Sequence, residues 1–303
     1  MPTLTRRRFL SLSAIAAIPL SFPARAAQIT QWHGTALGAE AAIYIDHPDA
    51  SAIIARAVAE IARLEDIFSL TRAGSALSQL NVVGRLTAPP FELLECLALC
   101  MRVHAATGGL FDPTVQPLWQ LYATSFLDGQ APDTAQIAAL LPRIGLQRVS
   151  YDSTAVRMSA GMALTLNGVA QGFIADKLAE MLAAEGLTDI LINTGEFRAL
   201  GQMPGGQGWP VKLVSGGQVA LNARALATSA PLGTVFDAKG RVGHILNPTT
   251  GLPAALIWSA VSISAPLAAL ADALTTAACL MPDRAAIQAA LTHFPQTQIE
   301  ALV

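Results

Sequence analysis

Apolar positions along this chain follow two periods. Ile53, Ile54, Ala57, Val58, Ile61, Leu64 and Phe68 recur at helical spacing behind Asp46-His47-Pro48-Asp49, which predicts a helix with one buried face. Ser75 to Leu80 predicts a second, short helix, and Pro89-Pro90 opens a third that runs to about Thr107. Its stripe is Leu93, Leu94, Leu97, Met101 and His104, and Gly108-Gly109 ends it. His104 on that stripe reads as a packed, hydrogen-bonded histidine. Period-two runs predict strands at 28–33, 38–45, 190–193, 198–201, 209–214, 218–222, 224–228, 257–264 and 298–303, with glycine-rich turns at 205–208 and 216–217. Residues 155–159 and 163–166 predict a hairpin around Ala160-Gly161. Residues 110–119 read as irregular because of their prolines, and 124–134 as a surface loop. Helices from Pro266 to about Leu280 and from Asp283 to Leu291 complete the pattern. Antiparallel hairpins among a few long helices predict a single compact α+β body, with no linker or repeat dividing it.

The most suggestive junction is Leu164-Thr165-Leu166-Asn167-Gly168-Val169-Ala170-Gln171-Gly172-Phe173-Ile174-Ala175-Asp176. It reads as a short apolar strand, a turn bracketed by glycines, and the first turn of a helix reaching about Glu185. Free N–H groups and a helix dipole then converge on one spot, and the glycines let a ligand approach the main chain. Phosphate, or a metal carrying phosphate, suits such a place. A plain strand-to-helix turn with two packing glycines has the same pattern.

Composition narrows the class. The chain has 303 residues, is 52% hydrophobic and only 13% charged. Its apolar stretch from Leu252 to Met281 is broken by Pro253, Pro266 and Asp272, so it reads as core. Thr5-Arg6-Arg7-Arg8-Phe9-Leu10, the apolar run to Leu20 and Ala24-Arg25-Ala26 match a twin-arginine export signal with its cleavage site. Residues 1–26 are therefore expected to be removed, leaving 27–303 as the working domain in the periplasm. Those 26 residues hold four of the 19 bases and none of the 21 acids, so the remainder carries a net charge of −6, which argues against nucleic acid as a partner. Cys96 and Cys100, four apart on one helix pattern, and Cys279 on another read as buried free thiols.

Two further stretches hold chemistry. His244-Ile245-Leu246-Asn247-Pro248-Thr249-Thr250-Gly251-Leu252-Pro253 places a histidine, the side chain suited to moving protons near neutrality, in a turn-rich segment. In Ala271–Thr276, Asp272 and Thr276 lie four apart, so a helix presents a carboxylate and a hydroxyl on one face. Both are hard oxygen ligands of the kind Mg²⁺ prefers. Alternatively, His244 caps a strand and Asp272 pairs with a surface base.

Taken in order, five stretches resemble the FAD:protein FMN transferases, the ApbE-type flavin transferases. These are Phe68-Ser69 with Ser75, Leu77 and Leu80-Asn81; Gly109 to Val115 with Pro117-Leu118; Gly168 to Gly172 with Asp176; Leu226 to Ser229; and His244 to Pro253 followed by Ala271 to Thr276. They cover nearly all of residues 27–303. The resemblance implies a central cleft for FAD and a Mg²⁺ ion held by the Ala170 carbonyl, Asp272 and Thr276. It implies that Leu110, Phe111, Asp112, Gln171, His244 and Asn247 contact the nucleotide, and that His244 and Asp272 serve catalysis. The implied reaction passes FMN to a threonine of an acceptor flavoprotein in electron transfer or respiration, and AMP leaves.

Departures from the pattern concern the grip on the nucleotide. Gln171 stands where lysine or glutamate is usual, Glu196 and Ala230 where glycine is, Asn247 where aspartate is, and Leu70 where an aromatic ring often stacks on the flavin. These leave two further readings: an FAD-binding carrier without transfer activity, and an FAD pyrophosphatase in which water replaces the acceptor.

Overall fold

The computed structural model describes residues 29–303, so the expected export signal lies outside the described residues. In chain order the elements are β1 (Thr30–Ala36), β2 (Ala39–Ile45), α1 (Ala50–Phe68), α2 (Ala76–Val83), β3 (Arg85–Thr87), α3 (Phe91–Ala106), α4 (Gln116–Leu127), α5 (Thr134–Leu140), β4 (Ser150–Tyr151), β5 (Ala155–Arg157), α6 (Ala170–Ala184), β6 (Ile190–Asn193), β7 (Phe197–Leu200), β8 (Trp209–Lys212), β9 (Gln218–Leu221), β10 (Ala225–Ser229), β11 (Val261–Ala265), α7 (Ala268–Ala278), α8 (Arg284–Leu291) and β12 (Gln298–Leu302).

Seven strands form the main sheet in the order β1-β2-β6-β7-β10-β11-β12, every neighbouring pair antiparallel. Alternation sorts its two faces. Ile190, Ile192, Ala225, Ala227, Val261, Ile263 and Ala265 belong to the large core shared with the helices, whereas Leu191, Ala199 and Leu226 join Trp209, Val211 and Leu221 of the β8–β9 hairpin. A third apolar cluster gathers Leu118, Tyr122, Ile137 and Leu246 around Phe236. The fold is α+β, as the sequence pattern predicts.

Three expectations are corrected. The segment read as irregular turns into helix at Gln116; Pro117 sits in the first turn, where a missing N–H costs nothing. The loop expected over 124–134 is only its middle. Helix α4 continues to Leu127, and α5 begins at Thr134 behind a reciprocal cap between Asp133 and Gln136. The expected hairpin of 155–159 with 163–166 is absent, because β5 pairs with β3 and β4 instead. Leu164 is held by a side chain: Asn81 Nδ2 donates to its carbonyl at 2.8 Å, and its N–H donates to Asn81 Oδ1 at 2.7 Å.

Helices α6 and α7 pack unusually closely. A Cβ at Gly172 would lie 2.4 Å from the Ala268 carbonyl oxygen, and one at Gly168 would lie 2.9 Å from Thr276 Oγ1. The alanines Ala268, Ala269, Ala271, Ala273, Ala277 and Ala278 of α7 are all buried, so small side chains on both sides let the backbones approach. Asp176 fastens the pair. Its carboxylate accepts from the N–H groups of Ala268 and Ala269, each at 2.9 Å, and faces Arg198 Nε at 3.1 Å. Burial pushes that carboxyl up to about 6, while the two N–H groups and the guanidinium pull it back toward ionisation.

Asp176→Asn removes one acceptor and the charge opposite Arg198, and should lower the unfolding free energy by about 3 kcal/mol in urea titrations. Gly172→Ala forces a methyl group into the Ala268 backbone. A cost of about 1–3 kcal/mol, read as a fall in melting temperature, is expected.

Candidate active site

The close α6–α7 contact places the chemistry. Gly168 and Gly172 are one helical turn apart on one side, and Asp272 and Thr276 are one turn apart on the other. Thr276 lies against Gly168, and the Gly172 N–H lies against the Asp272 carboxyl. Gly168, Asp272 and Thr276 border one cleft of roughly 1020 Å³, counting its open mouth.

Leu110, Phe111, Asp112, Gln171, His244, Asp272 and Thr276 line this cleft together, although they come from four separate parts of the chain. Ala170 sits between the lining residues Gly168 and Gln171, with its methyl in the core. Asn247 is not among the lining residues. Its Oδ1 accepts from the N–H groups of Thr249 and Thr250 at 2.8 and 3.1 Å, so the side chain closes its own turn.

Asp112 reaches the cleft, but both of its oxygens are engaged within the protein. Oδ1 accepts from the Thr114 N–H and hydroxyl at 2.8 and 2.6 Å, and Oδ2 accepts from the Leu146 N–H at 3.0 Å. This carboxylate therefore staples two loops, one of which carries Leu110 and Phe111. Behind it, His104 Nδ1 meets the Phe111 carbonyl at 2.9 Å, the packed role its stripe position implies.

His244 has a defined orientation. Its N–H donates to the Thr234 carbonyl at 3.1 Å, and its ring Nδ1 lies 3.0 Å from the same oxygen. A carbonyl there fixes the proton on Nδ1 and leaves Nε2 as the acceptor of the neutral ring. Burial holds the imidazole below its ordinary value, and the carbonyls of Thr234 and Pro231 oppose that shift.

Asp272 is the most unusual group. It is 3% exposed, its Oδ2 has no hydrogen-bond partner, and burial pushes its carboxyl up to about 8. Glu196, also lining the cleft and 7% exposed, is driven well above the carboxylate range by burial first and by the Asp272 charge second. None of the lining residues is lysine or arginine. An orphaned carboxylate oxygen beside a hydroxyl, in a cleft without basic side chains, fits a hard divalent cation.

Sequence reasoning assigned no role to Glu196, Gly195, Thr165, Asn167 or Ser229, all of which line the cleft. In the sequence Glu196 stands out only as an acid where glycine is usual. Gly195, at φ 106°, bends the chain there, and a Cβ on it would lie 2.9 Å from Gln171 Cδ. Thr194 closes this corner by donating its hydroxyl to the Gln171 carbonyl at 2.7 Å.

A family model described as the ApbE family matches residues 30–303. An FAD:protein FMN transferase of Treponema pallidum (strain Nichols) is 30% identical over 284 residues, covering 79% of this chain and 77% of its own. Another, from Klebsiella pneumoniae (strain 342), is 29% identical over 214 residues, 67% of each chain. Among solved structures, the apo form of the Pseudomonas stutzeri flavinyl transferase ApbE shares the fold with a TM-score of 0.77 at 23% identity, covering 89% of this chain and 90% of that one. The ApbE protein of Thermotoga maritima gives a TM-score of 0.81 at 24% identity over 91% and 94%. With its strands, its cleft and nearly all of its described residues inside that match, this chain belongs to the ApbE family.

Proposed function

We propose that this protein is an exported, Mg²⁺-dependent FAD:protein FMN transferase that attaches FMN to a threonine of a periplasmic or membrane-bound electron-transfer flavoprotein. Relatives bearing that activity in their names support the transferase reading. The observation that carries the metal dependence is the unpartnered Oδ2 of Asp272 in a cleft lined by no lysine or arginine. A cation placed between them lets a buried carboxylate and a dinucleotide's diphosphate share one space without repulsion. Asp272, Thr276 and the Ala170 carbonyl would hold Mg²⁺, which when bound neutralises charge on the phosphates.

The chain's own groups account for the remaining steps. Leu110 and Phe111 offer apolar surface to the flavin nucleotide, and Gln171, whose Nε2 has no partner, offers a donor to an anionic oxygen. His244 Nε2 takes the proton from the acceptor threonine. The threonine oxygen then bonds to the phosphorus on the FMN side of FAD, the bond to the AMP oxygen breaks, and AMP leaves with that oxygen. FAD thus serves as its own activated donor, so the reaction needs no ATP, which suits the periplasm that the twin-arginine pattern of residues 5–10 implies.

With FAD, Mg²⁺ and an acceptor domain, the protein should yield a fluorescent flavin band on the acceptor in denaturing gels and one AMP per band. Asp272→Ala should reduce the rate by on the order of 10²–10³. FMN and AMP formed without acceptor would select hydrolysis instead, and stable FAD binding without turnover would select a carrier.

The low His244 value sets a pH dependence. The ring is neutral at pH 7 and becomes charged only as pH falls through its depressed value, so the acid limb of the rate profile should lie below about pH 6.5. His244→Gln should remove that limb along with most of the activity.

A further inference from the structure

A second buried carboxyl lines the same cleft as Asp272. Glu196 reaches the cleft from the turn between β6 and β7, and Asp272 reaches it from α7, so two rigid supports hold the two acids toward one space. The Thr228 N–H donates to Glu196 Oε2 at 3.2 Å, fixing one oxygen and leaving the other available. Across from it, Asp272 Oδ2 is buried and unpartnered. Asp112, the other acid of the lining, is spent on its own loops. Thr275, beside Thr276, is likewise occupied: it donates to the Asp272 carbonyl at 2.9 Å and accepts from the Ser229 hydroxyl at 2.8 Å.

We propose that Glu196 is a further oxygen donor to the divalent cation, directly or through a water, so that the protein takes up the ion before FAD arrives. The inference rests on the metal-dependent reading above and deepens it. One divalent ion between two carboxylates is charge-balanced without any phosphate, whereas Asp272 alone would leave the ion dependent on the diphosphate for its second negative charge.

Mn²⁺ is the probe, followed by calorimetry and by its electron paramagnetic resonance signal, with no FAD present. The wild-type protein should bind one ion, and Glu196→Gln, which keeps an acceptor for the Thr228 N–H, should bind it about 10–100-fold more weakly. Saturating FAD should restore much of the lost Mn²⁺ affinity in Glu196→Gln but not in Asp272→Asn. Equal Mn²⁺ affinity in Glu196→Gln and the wild type would overturn the proposal. So would a wild type that binds Mn²⁺ only together with FAD, a result that would leave the transferase reading standing. No Mn²⁺ binding under either condition would sink both.

Discussion

Everything at the cleft depends on how closely two helices approach. Gly172 against the Ala268 backbone, and Gly168 against Thr276, bring α6 and α7 nearer than side chains of ordinary size permit. That approach sets the turn before α6 beside the Asp272–Thr276 face of α7. Asp176 secures it with a carboxylate spread over two N–H groups at the start of α7. Such N–H groups lack partners within the helix, so the clamp satisfies them while fixing the axial position of α7. Axial position decides whether Asp272 and Thr276 meet the cleft or miss it.

Around this contact the protein gathers acidic side chains and keeps lysine and arginine out of the lining. Arg198 comes near, but its charge is committed to Asp176 behind the lining. Asp112 is consumed by loop architecture, and His244 is held neutral by burial. The lining thus gives little direct attraction to an anionic dinucleotide and a strong one to a cation. In the proposed function an ion would hold the phosphates, and the apolar walls would hold the rest of the nucleotide.

Much of this was legible in the chain. The periodicity of α1 and α3, the alternation of the strands and the helix start near Gly168 follow from local chemistry, and Asp272 with Thr276 follows from a spacing of four. What was not legible depends on distant partners. The stretch at 163–166 alternates like a strand, yet it is bound by the Asn81 amide and, through the Thr165 N–H, by the Pro113 carbonyl. Pro117 looked like a breaker because an isolated proline does not say whether it begins a helix or ends one. Asn247 drew attention as a polar residue near His244, but a two-residue reach to its own backbone satisfied it first. Glu196 passed as a departure from a glycine pattern, since only the fold brings it to Asp272.

The Asn81 clasp also says how the two flanks of the cleft differ in construction. One flank is the close backbone contact of α6 and α7. The other, leading into the glycine turn, joins no strand of the seven-stranded sheet: the Asn81 amide, the Pro113 carbonyl and the burial of Leu164 and Leu166 hold it. A substitution at Asn81, on a helix that contributes nothing to the lining, therefore reaches the cleft through this clasp.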